Sequence, residues 1–300
     1  MSDPDELYTL RNRFWLGAYQ LAISEGAGLS RLSSDALRIE RDEYVFRSYI
    51  ALGQAQLVVS EVKETAPVSL QAVKLLATYT SGGANAATSE TAVLTLNEWL
   101  ADPAHANNPS LKLVAAIVFM GEDLLKDAIK AVRQGATLEH MALLTQIYLK
   151  MDRRDLAAKQ LKAMQQADED STLTQLAGAW VHLATGGPKF QEAAYVYEEL
   201  IDKFGATATL LNGLAAAHMH MGKYDEAEKF LVDAASKGAN DADTLINLIA
   251  CYSHLGKPGD FVQRYVAQLT LAHPAHPYVA ALKTANGMFE RASTGFAPSA

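Results

Sequence analysis

The sequence predicts an all-α fold: a solenoid of helical hairpins wound into an α-α superhelix. Three observations carry that expectation. Every strong hydrophobic period is near 3.6 residues, and none is 2. Alanine and leucine dominate, both helix formers, and alternating β-branched runs are absent. A pattern also recurs every 34 residues: Leu211, Leu214, His218, Gly222, Lys223 and Leu231 return as Leu245, Leu248, Tyr252, Gly256, Lys257 and Tyr265.

The elements follow in chain order. Leu7, Leu10 and Phe14 precede Gly17 and Tyr19, a first helix, a turn and the start of a second helix. Val45, Tyr49 and Gly53 precede Val58 and Val62 in the same way. A loop is expected near 81–88, where Ser81-Gly82-Gly83-Ala84-Asn85 breaks the pattern. The next helix carries Trp99, and a second loop is expected near 101–109. Phe119 ends a helix, and Ala128 with Val132 lies on its partner. Met141, Leu144 and Tyr148 then pair with Ala157, Leu161 and Met164. From there the repeats are clearest, over 138–272. Phe190, Ala193 and Tyr197 lie 34 residues before Tyr224, Ala227 and Leu231. An aromatic residue, alanine three on and a bulky residue four further, at that period, is the tetratricopeptide pattern. Ala227 is small, so two helices approach closely. Gly222 and Gly256 sit where the chain turns and a positive φ is expected. The reading is one continuous solenoid over 1–300, of roughly sixteen helices in pairs.

Composition narrows the function classes. The chain has 300 residues, 49% hydrophobic and 20% charged, enough apolar material for a sizeable core. Its net charge of −8 disfavours a general grip on nucleic acid or anionic lipid, which needs a field of Lys and Arg. Cys251 stands alone, so neither a disulfide framework nor a cysteine-based zinc cluster is expected. The start, Met1-Ser2-Asp3-Pro4-Asp5-Glu6, is acidic where a signal peptide is basic and then apolar. The apolar run Leu113 to Met120 is far short of the ~20 residues of a membrane helix.

Motifs of chemistry are sparse, and no catalytic, cofactor-binding or metal-binding residues are expected. His218 and His220 are two apart and point to different helix faces, and no His-Glu-x-x-His motif exists. Gly186-Gly187-Pro188-Lys189 lacks the spacing of a phosphate loop and falls where the repeat phase demands a turn. Cys251 reads as packing rather than as a nucleophile. Asp168-Glu169-Asp170 reads as a helix-start cluster and Glu198-Glu199 as a solvated face. Trp15, Trp99 and Trp180 are too widely spread for a cage, and Trp180 aligns with the packed Leu214 and Leu248.

Some residues go beyond what repeat packing requires. Asp168 through Ala177, continuing through Ala179-Trp180-Val181 to Leu183-Ala184-Thr185-Gly186-Gly187, resembles the epsilon-subunit family of coatomer, the COPI vesicle coat. So do Leu211-Asn212-Gly213 with His218-Met219, and Asn247-Leu248-Ile249 running to His254-Leu255-Gly256-Lys257-Pro258. Asp5-Glu6-Leu7 with Phe14 to Gln20, His276-Pro277 and the closing Phe296-Ala297-Pro298-Ser299-Ala300 are similar too. The stretch Gly82 to Asn108 departs most from that family. The resemblance implies a non-catalytic helical-repeat subunit, cytoplasmic and peripheral on Golgi membranes and COPI vesicles. It implies a direct partner, the C-terminal region of the alpha coatomer subunit, and contact with other coatomer subunits and membrane only through it.

Solenoids of this kind bind through a concave face lined by first helices. The repeat phase places Glu43, Arg47, Ile50, Ile117, Met120, Gln146 and Leu149 there. Four of these are apolar where the hairpin core does not require it, which suggests a large, permanent contact. The competing expectation is that the solenoid closes on itself and buries them. The alternative function is a tetratricopeptide adaptor or co-chaperone that captures a short peptide of another partner. Such a carboxylate clamp needs Lys, Arg and Asn on the concave face. The last repeats instead offer Thr209, Asn212, Ala216, Met219 and His220, then Asp243, Ile246, Ala250 and Ser253.

Overall fold

The structure is a computed structural model that describes residues 5–83, 85–135 and 137–296. The acidic Met1 to Pro4 and the closing Ala297 to Ala300 lie outside the described residues, so those parts of the sequence reading have no structural counterpart. The described residues form seventeen helices and no strand.

Sixteen of the helices pair in sequence. The hairpins are α1 (Tyr8–Trp15) with α2 (Tyr19–Gly28), α3 (Asp35–Ala51) with α4 (Ala55–Glu61), and α5 (Val68–Gly82) with α6 (Ala86–Ala101). Next come α7 (Pro109–Gly121) with α8 (Leu125–Val132), α9 (Leu138–Lys150) with α10 (Arg154–Ala167), and α11 (Thr172–Thr185) with α12 (Lys189–Phe204). The last two are α13 (Ala208–His220) with α14 (Tyr224–Lys237), and α15 (Ala242–His254) with α16 (Gly259–Ala272). A final helix, α17 (Pro277–Thr294), docks Val279 against Leu245, Ile249 and Leu269.

The hairpins share one closing device. Gly222 has φ +76° and Gly256 φ +63°, the left-handed conformation expected of both. The Gly222 N–H bonds the Met219 carbonyl at 3.0 Å and the Lys223 N–H bonds the His218 carbonyl at 2.9 Å, which is a Schellman end. The same pair of bonds closes α1, α3, α7, α9 and α15. In α7 and α9 the left-handed residue is not glycine but Asp123 (φ +60°) and Asp152 (φ +54°). Aspartate tolerates this region better than most side chains.

Side-chain size sets the spacing within hairpins. Ala22, Ala128, Ala157, Ala193 and Ala227 occupy one place early in their second helices, and all are fully buried. The apolar run of the seventh helix is explained the same way. Leu111, Leu113, Val114, Ala115, Ala116, Val118 and Phe119 are all buried, because α5, α6, α8 and α9 surround that helix. Among the described residues no helix is long and apolar enough to cross a membrane.

The chain divides into two compact units between Phe204 and Gly205. In the first, the first helices stack in a row, α1 on α3, α3 on α5, and so on to α11. The row then closes, because α1 also packs on α11. There the buried Thr172 hydroxyl donates to Asn12 Oδ1 at 2.6 Å. In the second unit, α13 to α16 enclose Ala215, Ala227, Leu231, Leu248, Cys251 and Tyr252. The Cys251 thiol is fully buried, 3.3 Å from the Tyr224 carbonyl, and burial pushes its pKa up to about 11. It is a packing thiol, as its apolar neighbours suggest.

Candidate functional site

The stripe expected to meet a partner runs along α3, α7 and α9, and its residues are equivalent by turn. Ile50, Met120 and Leu149 each stand three residues before the left-handed turn residue of their hairpin. Arg47, Ile117 and Gln146 each stand six before it. The exposure differs from expectation. Glu43 is buried and the other six are half-buried. Ile50, Ile117 and Met120 lean on the large core of α4 to α9, and Leu149 on the neighbouring cluster of α9 to α11. The reason is local: each of these residues packs on the core of its own and adjacent hairpins.

Arg47 bridges distant first helices of this unit. Its guanidinium donates to both carboxylate oxygens of Glu139, at 3.0 and 2.9 Å, across 92 residues of sequence. The same carboxylate accepts from the Trp15 indole at 3.0 Å. One ion pair therefore joins α1, α3 and α9. Arg47 also lies 4.5 Å from the Phe14 ring centroid and 5.2 Å from that of Tyr44. The pair is only 11% and 16% exposed. Burial opposes both charges, yet mutual attraction and hydrogen bonding win: the Glu139 carboxyl is held below its ordinary range and the Arg47 guanidinium above its own.

Beside this pair lies a cavity of about 530 Å³. Its walls come from α1 (Arg11, Trp15), α3 (Ile39, Glu40, Glu43, Tyr44) and the first turns of α5, α7 and α9 (Ser69, Ser110, Glu139). The sequence sets these first turns in place through capping. Asn108 caps α7 by accepting from the Leu111 N–H at 2.9 Å, and its amide donates to Ser69 Oγ at 3.1 Å. Thr137 caps α9. Glu43 is 8% exposed and accepts from the Ser110 hydroxyl at 2.5 Å, with Ser69 as a second hydrogen-bonding neighbour. Burial raises its pKa, against these hydroxyls and the attraction of Arg47. His140 donates from Nε2 to the Pro109 carbonyl at 3.0 Å and accepts from Thr137 at Nδ1, and burial lowers its pKa. It is thus a neutral, fixed member of the wall.

Spacing along α3 marks Glu43 and Arg47 as sharing a face. Nothing in the sequence marks Trp15, Ser110 or Glu139 as their neighbours, since these arrive from distant hairpins. In the second unit the Asn212 amide is spent internally, donating to Thr244 Oγ1 at 2.7 Å and accepting from Asn247 at 3.1 Å. Among the described residues no cluster of three or more His, Cys, Asp or Glu is placed to hold a metal.

Comparison with known proteins identifies the family. A sequence profile of the coatomer epsilon subunit matches residues 3–297. Coatomer subunit epsilon-1 of Oryza sativa subsp. japonica is 50% identical over 97% of this chain and 98% of its own. Coatomer subunit epsilon-1 of Arabidopsis thaliana is 47% identical over 99% of each. Coatomer subunit epsilon of Dictyostelium discoideum is 33% identical over 99% of this chain and all of its own. Among solved structures, a tetratricopeptide repeat protein from Parabacteroides merdae superposes with TM-score 0.58 at 13% identity, covering 89% of this chain and 96% of that one. The APC/C hetero-tetramer Cut9-Hcn1 gives TM-score 0.59 at 16% identity over 90% of this chain, which spans 53% of that one. These two show the helical-repeat fold alone. The full-length sequence matches show more: the chain belongs to the coatomer epsilon subunit family, a component of the COPI coat.

Proposed function

We propose that the chain is a non-catalytic structural subunit that binds the C-terminal region of the alpha coatomer subunit and stabilises it within the coat, supporting vesicle transport between Golgi and endoplasmic reticulum. The observation that carries this reading is the family match across residues 3–297. A helical-repeat scaffold fits a binding role, and attachment to Golgi membranes and COPI vesicles then comes through partners.

The contact surface in this reading is the stripe of Ile50, Ile117, Met120, Gln146 and Leu149. These half-buried residues keep part of their surface free, whereas Glu43 and Arg47 shape the stripe from within. The test replaces Ile117 and Leu149 together by Asp. Loss of the alpha complex with helicity and melting temperature retained supports the stripe, because a charge buried without a partner is costly. Full binding by the double variant moves the contact elsewhere.

A further inference from the structure

The cavity beside Arg47 holds three carboxylates, and two of them have a cation. Glu40 pairs with Arg11 at 2.7 Å and Glu139 with Arg47 at 2.9 Å. Glu43 lines the same cavity, is more than nine-tenths buried, and has only hydroxyl partners. No Lys, Arg or His lies within ion-pair distance of it among the described residues, and the nearby Arg47 is committed to Glu139. The first turns of α5 and α7 offer it partial positive charge, which a full cation would supplement. A buried carboxylate in this state is costly unless a cation meets it.

The remaining walls suit the rest of a basic side chain. Trp15 presents an aromatic surface, Ile39 and Leu113 present apolar ones, and the exposed Ala36 and Thr137 mark the mouth. An anion would meet three carboxylates at that depth, and an apolar group would leave Glu43 unpaired. We propose that this cavity receives one lysine or arginine side chain of a docked polypeptide, with Glu43 as its counter-ion and Trp15 as its aromatic wall. The cation chemistry stands on the cavity alone. That a polypeptide supplies it rests on the alpha-subunit reading above.

The experiment has two arms on the full chain. In the first, n-butylguanidinium and its neutral analogue n-butylurea are titrated into wild type and Glu43→Gln, followed by NMR at the Trp15 indole N–H and the Ser110 amide. The expected result is saturable shifts with the guanidinium, none with the urea, and at least tenfold weaker binding to the variant. Equal response to both probes, no response to either, or an undiminished response by the variant overturns the site. In the second arm the alpha C-terminal region is titrated into both proteins. At least tenfold loss in Glu43→Gln, with its melting temperature maintained, supports a side chain as the occupant, and equal affinity overturns that assignment. If the alpha region binds neither protein, the partner reading and the side-chain source fail together, while the guanidinium arm still decides the cation site.

Discussion

Glu43 and Glu139 line one cavity and are pushed in opposite directions. Glu139 is held low by Arg47 despite burial, so its stabilising contribution is present above the unfolded carboxyl value of about 4.3 and is lost as pH falls through its folded value. Glu43 is raised by burial, so its contribution is present below about 4.3 and is lost as pH rises through its folded value. Glu139→Gln should therefore destabilise the fold at pH 7, by about 3–5 kcal/mol, because Arg47 is left buried without its counter-charge. Glu43→Gln should leave the melting temperature at pH 7 equal or higher, with the difference from wild type vanishing near pH 4. Thermal denaturation at both pH values checks the pair, and destabilisation by both variants at pH 7 would contradict it. The sequence shows Glu43 and Arg47 four apart on one helix, hence on one face. It does not show that Arg47 meets Glu139, because that contact depends on how four hairpins, from α3 to α10, accumulate their rotation.

At the scale of the hairpin, periodicity located the turns where glycine marks them. Gly17, Gly53, Gly222 and Gly256 all take a positive φ. The turns at Asp123 and Asp152 carry no glycine, and the sequence does not mark them, because aspartate is common in many other settings. An added Cβ at Gly222 or Gly256 would touch nothing within 4 Å, so a substitution there is opposed by backbone conformation alone. Gly222→Val and Gly256→Val should each cost about 1–2 kcal/mol. Asp152→Gly should be neutral or stabilising, since the pair Asp152 makes with Arg154 at 3.3 Å is exposed and worth little. Urea denaturation orders the three, and a neutral Gly222→Val would contradict the assignment. Ala227 is fully buried between helices, so Ala227→Trp should cost about 1–3 kcal/mol or more by overpacking. An unchanged transition would mean that the crossing has slack.

At the scale of the whole molecule, the all-α hairpin architecture was legible because each hairpin is a local unit with its own period and turn. The closure of the first unit was legible only as one of two outcomes. It depends on contacts between α1 and α11, where Thr172 meets Asn12 across 160 residues. The stripe of Ile50, Ile117, Met120 and Leu149 is half-buried against adjacent hairpins, which narrows the surface open to a partner without removing it. In the proposed role this scaffold holds another coat subunit. The direct measurement is calorimetric titration of the purified full chain with the purified C-terminal region of the alpha coatomer subunit. The expected result is a complex at or below micromolar dissociation constant, with the negative heat-capacity change of buried apolar surface. No association at micromolar concentrations would contradict it.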